Sequence, residues 1–146
     1  MKTRIFLDAL DHRRIVQAIV EAESRSRGEV RVHVSGGAVS DPEAAAARQF
    51  ESLGMTKTAE RNGVLVFVAP ASQAFAVVGD RGIHERCGPE LWRDVAAAME
   101  EDFRAGRYTD GIVKGVARVG DALAAHFPRP EGTIDANELP DEVTED

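Results

Sequence analysis

Six consecutive apolar residues, Val64-Leu65-Val66-Phe67-Val68-Ala69, stand between Arg61-Asn62-Gly63 and Pro70. Successive side chains of a strand point to opposite faces, so a run that is apolar at every position needs cover on both sides. Val64, Val66, Phe67 and Val68 are β-branched or aromatic, the types that fit a pleated surface. The run therefore predicts the centre of a sheet, with everything else arranged to cover it. Pro70-Ala71-Ser72-Gln73 carries turn chemistry and Ala74-Phe75-Ala76-Val77-Val78 is a second apolar run. Together they predict an antiparallel hairpin with a loop of about four residues.

Upstream, Asp11 is a suitable N-cap for a helix over about 12–26, with Ile15, Val16, Ile19 and Val20 as its core-facing stripe. Gly28 ends that helix. Glu29-Val30-Arg31-Val32-His33-Val34 alternates with period two, which predicts a strand whose Arg31 and His33 face is incompletely buried. After Ser35-Gly36-Gly37 breaks the strand, Asp41-Pro42-Glu43 opens a helix over 42–53 with Ala46, Phe50 and Leu53 inward and Gly54 as its stop. A strand, a helix and a strand in succession make a crossover unit, so strand 30–34 should run parallel to strand 64–69.

Beyond the hairpin, residues 80–88 are punctuated by glycine and read as a short helix or an irregular loop. Pro89 and Glu90 open a helix to about Arg104, on which Trp92, Val95, Ala96, Met99 and Phe103 repeat at helical spacing, so Trp92 and Phe103 are expected to be largely buried. Ile112, Val116, Val119 and Leu123 stripe a last helix over about 110–126, where Gly111, Gly115 and Gly120 permit close approach of a neighbour. The expected fold is α/β, a three-layer α/β/α sandwich around a mixed sheet of three to five strands.

At 146 residues the chain is long enough for one core and short for two. A net charge of -7 disfavours nucleic acid as a partner. The single cysteine, Cys87, excludes an internal disulfide framework. No run approaches the roughly 18 apolar residues of a membrane span, and the apolar run after Met1-Lys2-Thr3-Arg4 is too short for a signal-peptide core. A soluble, cytoplasmic protein without an integral membrane segment is expected. The domain should occupy 1–127. Residues 128–146 hold seven acids and little to bury, which predicts a flexible acidic tail, with 137–141 as an alternative docking segment.

Three stretches, Arg61 to Pro70, Gly79-Asp80-Arg81-Gly82-Ile83-His84, and Phe103-Arg104-Ala105-Gly106-Arg107-Tyr108-Thr109-Asp110-Gly111-Ile112, resemble in order and spacing the successive motifs of the TPM domain family. That family takes its name from a thylakoid-lumen phosphatase-like protein, a photosystem II repair factor and a nematode receptor modulator. The resemblance covers about residues 8–127 and implies the same α/β/α sandwich. It also implies two functions: calcium binding with acid phosphatase activity in some relatives, and repair or assembly of membrane complexes in others. Unlike many relatives, this bacterial-type sequence shows no evident signal peptide or C-terminal membrane helix.

Topology sorts the polar residues onto two edges. The C-terminal ends of the parallel strands form the edge where α/β proteins bind ligands. Asp11, Asp41 and Asp110 should reach it, and the resemblance makes them candidate calcium ligands, the only cofactor implied, since calcium prefers several oxygen donors. Local rules alone also account for all three as helix caps. A second polar edge is expected from Asn62, Asp80, His84 and Glu85, with Arg81 and Cys87 beside them. His84 and Cys87 lack the paired cysteines of a structural zinc site, and Cys87 reads as a small buried residue. His12, His33 and His126 read as ordinary histidines. No nucleophile elbow or phosphate-loop lysine signature occurs, and no catalytic residue stands out. The expected function is a calcium-modulated binding or assembly module with a protein partner, membrane-associated if it follows the relatives that maintain membrane complexes. The alternative is a metal-dependent acid phosphatase-like hydrolase.

Overall fold

The computed structural model describes residues 1–130 and 142–146. Its elements in order are α1 (Thr3–Ala9), α2 (His12–Ser24), β1 (Glu29–Val34), α3 (Pro42–Ser52), β2 (Gly63–Ala69), β3 (Ala74–Gly79), α4 (Arg81–Cys87), α5 (Pro89–Arg104), α6 (Tyr108–His126) and β4 (Val143–Glu145), with 3-10 turns at Met55–Lys57 and Pro70–Ser72. The strands make one mixed sheet in the order β3-β2-β1-β4. β1 runs parallel to both β2 and β4, and β2 is antiparallel to β3. The expected fold class, parallel crossover and hairpin are all present.

Two cores follow from the pleat. Val64, Val66 and Val68 of β2 join Val30, Val32 and Val34 of β1 under α2, α5 and α6, around Ile15, Ile19, Met99, Ile112, Val116 and Leu123. On the other face Leu65, Phe67 and Ala69 meet Ala46 and Phe50 of α3 and Met55. Small residues bring the helices together: a Cβ on Gly115 would lie 2.6 Å from the Met99 sulfur, and one on Gly120 would lie 2.7 Å from the Ala22 Cβ. The close approach expected of α6 is thus made to α5 at one glycine and to α2 at the other.

Several local expectations are corrected. α1 was not legible: Lys2 offers no side-chain cap and the first turn holds no acid, yet Phe6, Leu7 and Leu10 are buried. On α2, Val20 is exposed, so the buried stripe is Ile15, Ile19 and Ala22. All six residues of β1 are buried, Arg31 and His33 included. Trp92 and Phe103 are half-buried, because each lies at the margin of its helix face: Trp92 covers Gly79 and Phe103 covers Gly111. Residues 80–88 are a short helix capped by the Asp80 side chain.

The largest difference lies at the end of the chain. The proposed docking segment 137–141 and most of the acidic tail lie outside the described residues. Around them the chain is held to the domain. Ser26 and Pro128 form a bridge, the Arg129 guanidinium donates to the Glu23, Ser24 and Ser26 carbonyls, and Val143–Glu145 is the outer strand β4.

Candidate functional site

The C-terminal end of β2 opens into a cleft of about 440 Å³. Its walls are Phe6 of α1, Val68 and Pro70 at the strand end, Phe75 of β3, and Glu100, Phe103, Arg104 and Tyr108 around the α5–α6 turn. The rings support one another. Phe6 and Tyr108 lie 5.1 Å apart, Phe75 meets Phe103 edge-on at 5.2 Å, and Phe103 lies 6.1 Å from Tyr108. Phe75, Phe103 and Tyr108 are each only half-buried, so they still have surface to offer. Arg104 and Glu100 pair at 2.7 Å and supply a polar element in the wall. The volume lies in the usual range of ligand pockets, and the lining is mixed: Gln73, Glu100 and Arg104 stand beside the rings. The cleft draws on residues 6, 75, 103 and 108, whose proximity no local pattern encodes, although Phe103 and Tyr108 stand within the third sequence motif.

The candidate calcium ligands reach this edge in two separate layers. Asp11 caps α2 by accepting from the Arg14 amide, and its own amide donates to the Thr109 hydroxyl at 3.0 Å. Asp110, in the first turn of α6, accepts from the Arg14 guanidinium at 2.9 Å. These two aspartates therefore share a corner with a cation already in it. Asp41 begins α3 in the opposite layer and caps it by accepting from the Ala44 amide. Among the described residues no three His, Cys, Asp or Glu side chains gather as a metal would require. The donor set thus does not fit a shared three-carboxylate calcium centre, and helix capping accounts for the Asp11 and Asp41 carboxylates.

The second polar edge is a structural junction. Asp80 is buried, accepts two hydrogen bonds from the Arg61 guanidinium at 2.6 and 2.8 Å, and caps the Arg81 amide. Arg61 has φ of 52°, a left-handed backbone that is uncommon outside glycine, and the bidentate pair helps fix it there. Asn62 is buried, with its side-chain amide donating to the Arg27 carbonyl at 3.1 Å. The exposed His84 accepts from the Trp92 indole N–H at 2.9 Å through Nδ1, a bond that joins α4 to α5. Glu85 is exposed. Cys87 is half-buried, and burial pushes its thiol pKa up, away from a reactive thiolate.

A second carboxylate, Asp102, is almost enclosed between α5 and α6 and pairs with Arg107 at 2.8 Å and Lys114 at 2.9 Å. Lys114 first, then Arg107, hold its carboxyl below the ordinary 3.8. Hydrogen bonding from Arg27 likewise holds Glu60 below 4.5. A carboxylate whose folded pKa is depressed adds stability that is complete above its unfolded pKa and is lost as pH falls through the folded value. The melting temperature is therefore expected to hold from pH 7 to about 5 and to fall below about pH 4. Melts down to pH 2.5 check this. A curve with no acid limb would mean that these ion pairs contribute nothing.

The sequence reading missed the end of β1 altogether. His33 is buried and stacks on Phe67 with centroids 6.0 Å apart. Its Nε2 lies 2.6 Å from an Asp146 carboxylate oxygen and its Nδ1 lies 2.8 Å from the Thr144 hydroxyl. The other Asp146 oxygen accepts from the Ser35 hydroxyl at 2.8 Å and the Gly36 amide at 2.9 Å. Burial alone would raise the Asp146 pKa, but the bonds from Gly36, His33 and Ser35 outweigh it and the net shift is downward. Serine, histidine and aspartate are thus together without forming a nucleophile relay. Ser35 and His33 bond different oxygens of the same aspartate, so the histidine does not stand between the serine and the carboxylate as a relay requires.

Among the described residues no helix is long and apolar enough to cross a membrane. The model of the TPM domain family matches residues 3–122. The chain is similar in structure to the BA42 protein of the psychrophilic bacterium Bizionia argentinensis, at 33% identity, with 92% of each chain covered and a TM-score of 0.84. It also shares its fold with the N-terminal domain of the cg2496 protein of Corynebacterium glutamicum, at 12% identity, covering 88% of this chain and 80% of that one with a TM-score of 0.62. A third likeness, to the N-terminal domain of a P. gingivalis protein, has 21% identity, covers 80% and 76% of the two chains and has a TM-score of 0.58. No curated protein matches. With its three motifs in order, its sandwich fold and a family match over most of its length, this chain belongs to the TPM domain family.

Proposed function

We propose that the domain is a binding module that holds an apolar side chain of a protein partner in the aromatic cleft at the end of β2. The observation that carries this reading is the cleft itself: half-buried rings from α5, α6 and β3 line a concave space, where a packed hydrophobic anchor gains most. The resemblance to relatives that maintain membrane complexes supports a membrane-associated partner. Calcium modulation belongs to the same reading. It would act at the Asp11–Asp110 corner, where a metal must compete with Arg14 for the Asp110 carboxylate. Two of the buried acids, Asp80 and Asp102, are each clamped by cations, which supports binding over hydrolysis.

The test uses N-acetyl-leucine amide and N-acetyl-phenylalanine amide as probes of the cleft, observed by NMR of the full chain with and without millimolar calcium. Saturable shifts at Phe75, Phe103 and Tyr108 are expected, and Phe75→Ser should weaken them about tenfold by removing one wall. Absence of saturable shifts, or shifts that ignore Phe75→Ser, overturns the cleft reading. Calcium should move the Thr109–Gly111 amides; if it does not, modulation is removed from the proposal. Turnover of p-nitrophenyl phosphate that depends on metal and is lost in Asp41→Ala would favour the hydrolase instead.

A further inference from the structure

The contacts around Asp146 describe a reader for an extended chain. Three donors of different kinds, the Gly36 amide, the Ser35 hydroxyl and the His33 ring, converge on one carboxylate at the end of β1. Two residues earlier, the Thr144 hydroxyl donates to the Val32 carbonyl and meets the other His33 nitrogen. The hydroxyl has one proton to give: with it on the Val32 carbonyl the oxygen faces Nδ1 as an acceptor, and with it on Nδ1 the Val32 contact is given up. One residue before that, Val143 packs half-buried against the main core. The parallel register Val32–Val143, His33–Thr144 and Val34–Glu145 places these three features in a fixed spacing. Glu145 is exposed and pairs with the exposed Arg4 at 3.6 Å.

We infer that the outer edge of β1 is a binding site for an extended, carboxylate-bearing segment of a partner protein, with the sense aliphatic, threonine or serine, any residue, aspartate, and that residues 143–146 occupy it in cis. This site lies on the opposite strand of the sheet from β3 and is independent of the aromatic cleft. A strand added to a sheet edge gains affinity from its main chain and specificity from alternate side chains. Here the two specific features are a buried histidine and a carboxylate nest, both unusual on a plain sheet edge. The occupant in place is weakly held by its own size: β4 has three residues, none fully buried. Its hold comes from the Asp146 carboxylate, the Thr144 hydroxyl and the pairing with β1. An external segment must outcompete that, so the cis strand sets the threshold for binding.

The experiment titrates the isotope-labelled full chain, wild type and Asp146→Asn, with the capped peptide of residues Glu142–Asp146, reading the Gly36 amide and the His33 ring nitrogens. Asp146 is about 43% exposed at its side chain, so its substitution leaves the core intact. In the Asp146→Asn chain both signals should move away from their wild-type positions, and the peptide should return them with a saturable curve. Affinity for Asp146→Asn should exceed that for the wild-type chain about tenfold, because the competing cis strand is weakened. A peptide carrying the same Asp146→Asn change should bind about tenfold more weakly, as should a Ser35→Ala chain. If Asp146→Asn leaves the Gly36 and His33 signals in place, or if the peptide gives no saturable Gly36 shift up to about 10 mM, the edge is not a reader and the inference fails. Neither result depends on the cleft probes, so the two sites stand or fall separately.

Discussion

Phe67→Ala is expected to lower the unfolding free energy by about 3–5 kcal/mol, a large share of the roughly 5–15 kcal/mol available to a domain. Phe67 stands in the middle of the central strand, 2% exposed, opposite His33 on β1 and Ala76 on β3. Its ring fills the space between the sheet and the Ala46 and Phe50 side of α3, and it is also the surface on which His33 stacks. Truncation leaves a cavity that a sheet hydrogen-bonded on both sides cannot close. It also removes one wall of the His33 site, so the Gly36 and Asp146 signals should broaden or shift along with the global loss. Phe67→Leu keeps most of the volume and should cost less than about 1.5 kcal/mol. Urea unfolding of both variants measures the difference. A loss below about 1 kcal/mol for Phe67→Ala would mean that α3 collapses onto the sheet and that its packing is loose.

The parts of this fold that were legible are those whose stabilisation is local or periodic. A strand apolar at every position can only lie between two layers, so β2 announced the sandwich, and the stripes of α5 and α6 followed from spacing. Two of the three aspartates read as caps were legible for the same reason: Asp11 and Asp41 each accept from an amide in the first turn of their helix, as a short acceptor there should, whereas Asp110 lies inside the first turn of α6 and pairs with Arg14 instead. Their very legibility as caps weakens their reading as metal ligands.

What was not legible depends on residues far apart in the chain. Alternation in β1 read Arg31 and His33 as an incompletely buried face, because polarity at period two normally means water on that side. For His33 the reason for burial is β4, more than 100 positions away, which supplies a hydroxyl and a carboxylate to its ring. From the other end, Val143, Thr144 and Glu145 sit in an acidic stretch whose composition argues against order. Only the pairing with β1 and the donors at Ser35 and Gly36 offset that ordering cost. The aromatic cleft is assembled in the same way. Phe103 read as a core position and Phe75 as part of an apolar strand, and the half-burial of these two rings and Tyr108 on a common wall appears only once α1, β3 and the α5–α6 turn meet.

Gly82→Ala is expected to be the most damaging single methyl group that can be added near the second sequence motif. A Cβ at Gly82 would lie 2.2 Å from the Glu60 carbonyl oxygen and 2.6 Å from that of Arg61, and both obstacles are backbone. Relief requires moving either α4 or the 60–61 segment, and each is tied. The Gly82 amide donates to the Arg61 carbonyl at 2.8 Å, while the Arg61 guanidinium is clamped to Asp80 at the start of the same helix. Shifting the helix by the needed distance therefore breaks a hydrogen bond and strains a bidentate ion pair whose aspartate is buried. The cost should reach the upper end of the overpacking range, about 3 kcal/mol. Gly37→Ala is the matched control, since a Cβ there meets nothing within 4 Å, and it should change stability by less than about 0.5 kcal/mol. Urea midpoints with an unchanged slope would report the two costs cleanly. If Gly82→Ala loses less than about 1 kcal/mol, α4 slides freely over residues 60–61, and the Arg61–Asp80 pair is an accommodating contact and not the rigid corner described above.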